Sequence, residues 1–127
     1  MQDFYITGTL KSPEIDFKTS GKLRISGVSV LEDSYDFYRR PIQWVEEYVL
    51  QPADKTVVDL DLKFFNTSSQ VNIFEILMRL ADLQRSGYKV EFNWYYTEED
   101  MRELGEDIAN LLGIKFNFIK KESEPEI

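Results

Sequence analysis

The chain has 127 residues, 43% of them apolar, with 15 basic against 23 acidic side chains and a net charge of −8. That is enough chain for one core and too little for two ordinary domains. The absence of cysteine excludes disulfide frameworks and thiolate chemistry, the absence of histidine removes the commonest general base and metal ligand, and the acidic excess opposes a nucleic-acid backbone or an anionic membrane surface.

The first residues, Met1 to Ile6, lack the basic region and apolar run of a secretory signal, and no stretch approaches the ~20 apolar residues of a spanning helix. A cytoplasmic protein with neither nucleic acid nor membrane as partner is therefore expected. Phe4-Tyr5-Ile6 and Glu14-Ile15-Asp16-Phe17 read as short strands, and Leu23 and Ile25 alternate with polar neighbours in a third strand between Gly21 and Gly27. From Ser34 to Val49 the positions Phe37, Tyr38, Ile42, Val45, Tyr48 and Val49 fall at helical spacing. Pro41 interrupts them, so a first turn is expected near Ser34 to Tyr38 and the main helix from Pro41 at its N1 position.

Val58, Leu60, Leu62 and Phe64 alternate with Asp59, Asp61 and Lys63, the pattern of a strand with one apolar face. Directly after it come Asn66-Thr67-Ser68-Ser69 and then Phe74, Leu77, Met78 and Ala81 at i, i+3, i+4 and i+7, a strand running straight into a helix that ends near Ser86-Gly87. Val90, Phe92, Trp94 and Tyr96 form another strand. Thr97, with Asp100 three residues on, is the expected N-cap of a last helix carrying Met101, Leu104, Ile108, Leu111 and Leu112 and closed by Gly113. Phe116 and Phe118 suggest a short final strand. The whole is an α/β fold, a mixed sheet with roughly three helices, in one domain over residues 1–119 with a polar tail at 120–127.

The most pointed feature is the hydroxyl cluster of Thr67, Ser68 and Ser69 at a strand-to-helix junction. Backbone N–H groups in a first helical turn have no intrahelical partner, and the helix dipole adds partial positive charge. Such a place tolerates a phosphate, which adds about −1.5 to −2 charges to its surroundings. The same residues also suit plain capping, in which Asn66, Thr67 or Ser68 accepts one N–H bond worth about 1 kcal/mol. Only one hydroxyl can be both exposed and free of that bond.

The strand Val57 to Phe64 feeding Asn66-Thr67-Ser68-Ser69, the earlier Ser34-Tyr35, the segment Ile42-Gln43-Trp44-Val45-Glu46 and the late Trp94-Tyr95-Tyr96 together resemble the SiaC family of bacterial regulatory phosphoproteins over nearly the whole chain. The resemblance implies a single STAS-like domain, similar to anti-sigma-factor antagonists, and partner switching. It further implies that a histidine-kinase-like Ser/Thr kinase phosphorylates Thr67, with Ser68 as the fallback acceptor, and that a metal-dependent Ser/Thr phosphatase reverses this. The unphosphorylated form would bind and activate a diguanylate cyclase in c-di-GMP and biofilm signalling. No cofactor and no catalysis are implied. Asn66, Thr67, Ser68, Ser69 and Tyr95 are the expected partner-binding residues, and a phosphate near Asp59 and Asp61 would add repulsion.

A different class of reading uses Asp59 and Asp61, which share a strand face, as a paired acid/base or hard-cation site. With the exposed tyrosines they would make a small carboxylate-dependent enzyme or nucleotide-binding module. Alternating charges on a strand more commonly mark its solvated face, and Phe92 and Trp94 read as core rather than as a stacking platform.

Overall fold

A computed structural model describes residues 1–122. Among these residues the chain forms a six-stranded sheet and three helices in the order β1 (Phe4–Ile6), β2 (Glu14–Phe17), β3 (Lys22–Ser29), α1 (Ser34–Tyr48), β4 (Lys55–Phe65), α2 (Thr67–Arg85), β5 (Lys89–Tyr96), α3 (Glu99–Leu112) and β6 (Asn117–Lys120). The strands lie side by side in chain order. The β1–β2 and β2–β3 pairs are antiparallel, and the pairs from β3 to β6 are parallel. The mixed α/β sheet expected from the alternation is thus present.

Each parallel pair is joined by one helix, and right-handed crossovers that always step the same way keep their helices on one face. The burial pattern agrees. Ile15, Phe17, Leu23, Ile25, Val58, Leu60, Leu62, Phe92 and Trp94 are buried on the covered face, while Asp16, Arg24, Asp59, Asp61, Glu91 and Tyr95 occupy the other face with no helix over them. Helix α2 lies between α1 and α3. Among the described residues no helix is long and apolar enough to cross a membrane.

Two glycines set close approaches. Gly21 has φ +105°, and a Cβ there would meet the Lys55 carbonyl at 2.2 Å, where β3 starts against β4. Gly105 lets α3 lie on the Trp94 indole, whose Nε1 donates to the Met101 carbonyl at 3.0 Å; a Cβ at 105 would come within 2.6 Å of that ring.

Several local expectations are corrected. Helix α1 is continuous from Ser34 to Tyr48 with Pro41 inside it, rather than starting afresh at Pro41. One lost N–H bond is outweighed by a buried face containing Tyr38, Pro41, Ile42, Trp44, Val45 and Tyr48. The N-cap of α3 is Glu98, not Thr97, and it makes no side-chain cap bond; Glu99 and Asp100 in the first turn complement the dipole instead. Leu111 is 74% exposed, so it lies off the buried face of α3. Lys120 closes β6 rather than opening a tail, and the backbone N–H of Lys121 donates to the Tyr96 carbonyl at 2.7 Å. The remainder of the expected tail, 123–127, lies outside the described residues.

The correction with most bearing on function is at the end of β4. Register pairs Gly27 with Leu62 but Val28 with Phe64, so Lys63 is one extra residue in β4, a β-bulge. A one-residue slip exchanges the faces of everything after it. Phe64, expected in the core, is 57% exposed, and Phe65 takes its place at 6%.

Candidate functional site

The strand-to-helix junction after β4 is built around Asn66. Its backbone N–H donates to the Ser29 carbonyl at the end of β3, and its Nδ2 donates to the Leu31 carbonyl at 3.0 Å. Its Oδ1 accepts the Ser69 N–H at 3.0 Å, which makes Asn66 the N-cap of α2. Capping by an asparagine leaves Thr67, Ser68 and Ser69 as the first three helical residues, with none of their hydroxyls needed for the cap.

Those three hydroxyls then have different surroundings. Ser69 is fully buried and accepts a bond from Ser29 Oγ at 2.7 Å; Ser29 in turn bonds the Tyr38 hydroxyl at 2.8 Å. With its one proton directed at Ser69, Ser29 takes the Tyr38 proton, giving a chain from Tyr38 to Ser29 to Ser69. Burial pushes the Tyr38 hydroxyl up to about 12.

Ser68 is exposed on its outer side but tied inward. Ser34 Oγ donates to the Ser68 carbonyl at 2.9 Å, accepts from Asn72 Nδ2 at 2.8 Å and bonds the Ser68 hydroxyl. Ser34 has one proton and two lone pairs, so the Ser68 hydroxyl must be the donor in that last bond. The Ser68 proton is spent on a buried serine of α1. Thr67 is exposed, and its side chain makes no hydrogen bond among the described residues. The geometry therefore singles out Thr67 as the accessible hydroxyl that no neighbour holds. Its position at N1 places it among orphan backbone N–H groups and the positive end of the α2 dipole.

On the helix side of the junction two apolar side chains are exposed, Tyr35, next to Ser34 in α1, at 64%, and Val71, one turn along α2 from Thr67, at 66%; Phe64, 57% exposed, is turned by the bulge to the uncovered sheet face that carries Asp61 and Tyr95. Further along α2, Met78 is 41% exposed and leaves the inner face where the helical spacing had put it, while Phe74 is half-buried and packs against the core. Sequence reasoning missed Phe64 and Val71 as surface groups. The doubled Phe64-Phe65 signals only that one of the two faces out, and strict alternation would pick Phe65, the reverse of what the bulge produces.

Tyr95, Asp59 and Asp61 are not brought to this junction. All three point from the sheet face that no helix covers. Asp61 accepts from Arg24 at 2.9 Å and from Lys121 at 2.8 Å, and Asp59 accepts from Asn93 at 2.9 Å, which itself accepts from Asn117 at 3.0 Å. The two carboxylates are spent on bonds linking neighbouring strands, and no group of three or more acidic residues able to hold a metal ion exists among the described residues. Tyr95 stands beside them, its hydroxyl raised above the ordinary tyrosine value first by burial and then by the Asp59 charge. Both carboxylates thus stand on the sheet face opposite the helices, each already hydrogen-bonded.

Comparison with known proteins agrees in sequence and in shape. A family model described as SiaC family regulatory phosphoprotein matches residues 6–121. An uncharacterized protein of Pseudomonas aeruginosa is 33% identical over 111 residues, 84% of this chain and 87% of that one. The crystal structure of apo-SiaC from Pseudomonas aeruginosa superposes with a TM-score of 0.84 at 30% identity, covering 95% of this chain and 99% of that one. A chain in the crystal structure of the diguanylate cyclase SiaD in complex with its activator SiaC, from the same organism, superposes with a TM-score of 0.82 at 29% identity, covering 95% and 100%.

Proposed function

Since the chain belongs to the SiaC family of regulatory phosphoproteins, we propose that Thr67 is its phosphorylated residue and that the unphosphorylated form binds and activates a diguanylate cyclase. The observation that carries the choice of residue is the sorting of the three hydroxyls, which leaves Thr67 exposed and unheld while Ser68 and Ser69 are bonded inward. The choice of partner rests on the Pseudomonas aeruginosa SiaC, which is the activator of SiaD and forms a complex with it.

In this reading the chain works in the cytoplasm by binding and not by catalysis. A histidine-kinase-like Ser/Thr kinase adds the phosphate, and a metal-dependent Ser/Thr phosphatase removes it. The docking surface is Asn66 to Ser69 with the exposed apolar side chains of Tyr35 and Val71 at its rim. A contact at Tyr95 would be a second, separate surface.

One phosphate suffices as a switch because of where it falls. An apolar rim pressed against a partner excludes water, and an uncompensated charge left there costs several kcal/mol. At 1.4 kcal/mol for each tenfold in affinity, about 3 kcal/mol already weakens binding more than a hundredfold. Before docking, the same phosphate is tolerated by the N–H groups of the first α2 turn, so it opposes the complex without opposing the fold.

The test uses the full chain, its cognate kinase with ATP, and the diguanylate cyclase of the same organism. Mass spectrometry is expected to place one phosphoryl group on Thr67 and none on Thr67→Ala. Calorimetry is expected to show tight binding by unmodified chain and by Thr67→Ala, and none by phosphorylated chain. Equal affinity for the unmodified and fully phosphorylated forms would sink the switch.

A further inference from the structure

At the opposite end of the sheet, where β4 and β5 begin and the chain turns into β6, a cleft of about 450 Å³ is lined by Lys55, Lys89 and Lys115, with Tyr88, Glu91 and Asn117 in its walls. Lys55 and Lys89 are register partners on adjacent parallel strands, so their side chains leave the same sheet face. Neighbouring strands lie about 4.8 Å apart, and like charges facing each other at that spacing are destabilising. One carboxylate, Glu91, stands loosely against Lys55 at 3.7 Å. Lys89 and Lys115 have no ion-pair partner among the described residues. In a chain with a net charge of −8, this hollow gathers three cations against one anion.

We propose that this cleft is a binding site for a phosphate chain, of the di- or triphosphate class. Ammonium groups hold phosphate oxygens as point charges through charge-assisted bonds, and a ligand with several such oxygens engages three of them at once. Its arrival also relieves the Lys55–Lys89 repulsion, so the free state carries a cost that the bound state does not. Tyr88, 45% exposed at the rim, offers a ring to a base when the phosphates belong to a nucleotide. The site is independent of Thr67, which follows the carboxyl end of β4 while the cleft surrounds its amino end.

Sodium tripolyphosphate, titrated into the isotopically labelled full chain in magnesium-free buffer, is the direct probe. Amide shift changes are expected to concentrate on Lys55, Tyr88, Lys89, Lys115 and Asn117, and to weaken as sodium chloride is raised. Lys89→Gln combined with Lys115→Gln is expected to melt at or slightly above the wild-type temperature, because the Lys55–Lys89 repulsion is gone, and to lose about tenfold or more in affinity. ATP is expected to perturb the same amides and to be displaced by tripolyphosphate. Shift changes scattered over lysines at the other end of the sheet such as Lys11 and Lys63, a double variant that binds as well as wild type, or ATP that tripolyphosphate fails to displace would each overturn the proposal.

Discussion

The hydroxyls of Ser34, at the start of α1, and Ser68, in the first turn of α2, hydrogen-bond to each other, and Asn72 reaches the Ser34 oxygen from one turn further along α2. The contact fastens two helix starts together and takes Ser68 out of competition with Thr67. Ser34→Ala removes the acceptor of a buried amide, which keeps a longer bond of 3.2 Å to the Ser68 carbonyl. A loss of about 1–2 kcal/mol in unfolding free energy is expected from urea titration. Kinase labelling should then appear on Ser68 as well as Thr67 in phosphosite mapping. Labelling still confined to Thr67 would mean that the bond does not restrain Ser68.

Thr67 itself separates stability from binding. As an exposed N1 residue with no hydrogen bond, it should tolerate alanine within about 0.5 kcal/mol. Thr67→Glu puts a negative charge on the positive end of the dipole and is expected to raise stability by about 0.3–1 kcal/mol at low salt while abolishing partner binding. A variant that loses both would point to misfolding instead of gating.

The bulge makes the neighbours Phe64 and Phe65 unequal. Phe65→Ala empties a buried site and is expected to cost about 3–5 kcal/mol in denaturant unfolding. Phe64→Ala should cost under about 1 kcal/mol. Equal destabilisation by the two would contradict the inverted register at Lys63.

Tyr38 gives the fold an alkaline limit. Its hydroxyl is pushed by burial up to about 12 from an ordinary value of 10.0, so between those values the folded chain holds a proton that the unfolded chain has released. Stability from this group is therefore fully present below pH 10 and is lost as pH rises toward 12, by an amount on the order of 2 kcal/mol. Urea midpoints across that window should fall less steeply in Tyr38→Phe than in the wild type.

Gly105→Ala sets two effects against each other. Alanine gains up to about 1 kcal/mol in helix propensity, yet its methyl would sit 2.6 Å from the Trp94 indole. Overpacking of this kind costs about 1–3 kcal/mol, so a net loss of stability with altered tryptophan fluorescence is expected.

The elements legible in the sequence were those whose period repeats without interruption. The strands around Leu60 and Phe92 and the closing turns at Gly87 and Gly113 stand where the alternation and the turn residues put them. What failed did so where pairing or packing decides. Lys63 is an extra residue only by reference to β3, so no reading of β4 alone reveals that Phe64 faces out. Pro41 is carried inside α1 by burial of the residues around it. The junction could be recognised as a surplus of hydroxyls, but ranking them needed Ser29, Ser34 and Tyr38, which only the packed helices bring near. Tyr95 stands beside Asp59 and Asp61 on the uncovered sheet face, a placement that depends on strand pairing.

The order of strands in the sheet is also the order in which they are made. No strand has to insert between two that have already paired, so the sheet can grow from one edge to the other as chain becomes available, each closure spanning a single helix. The residues that rank the three hydroxyls all fall between Ser29 and Asn72. They are all synthesised before β5, α3 and β6, so Thr67 and the side chains that set it apart belong to the first part of the chain to be made.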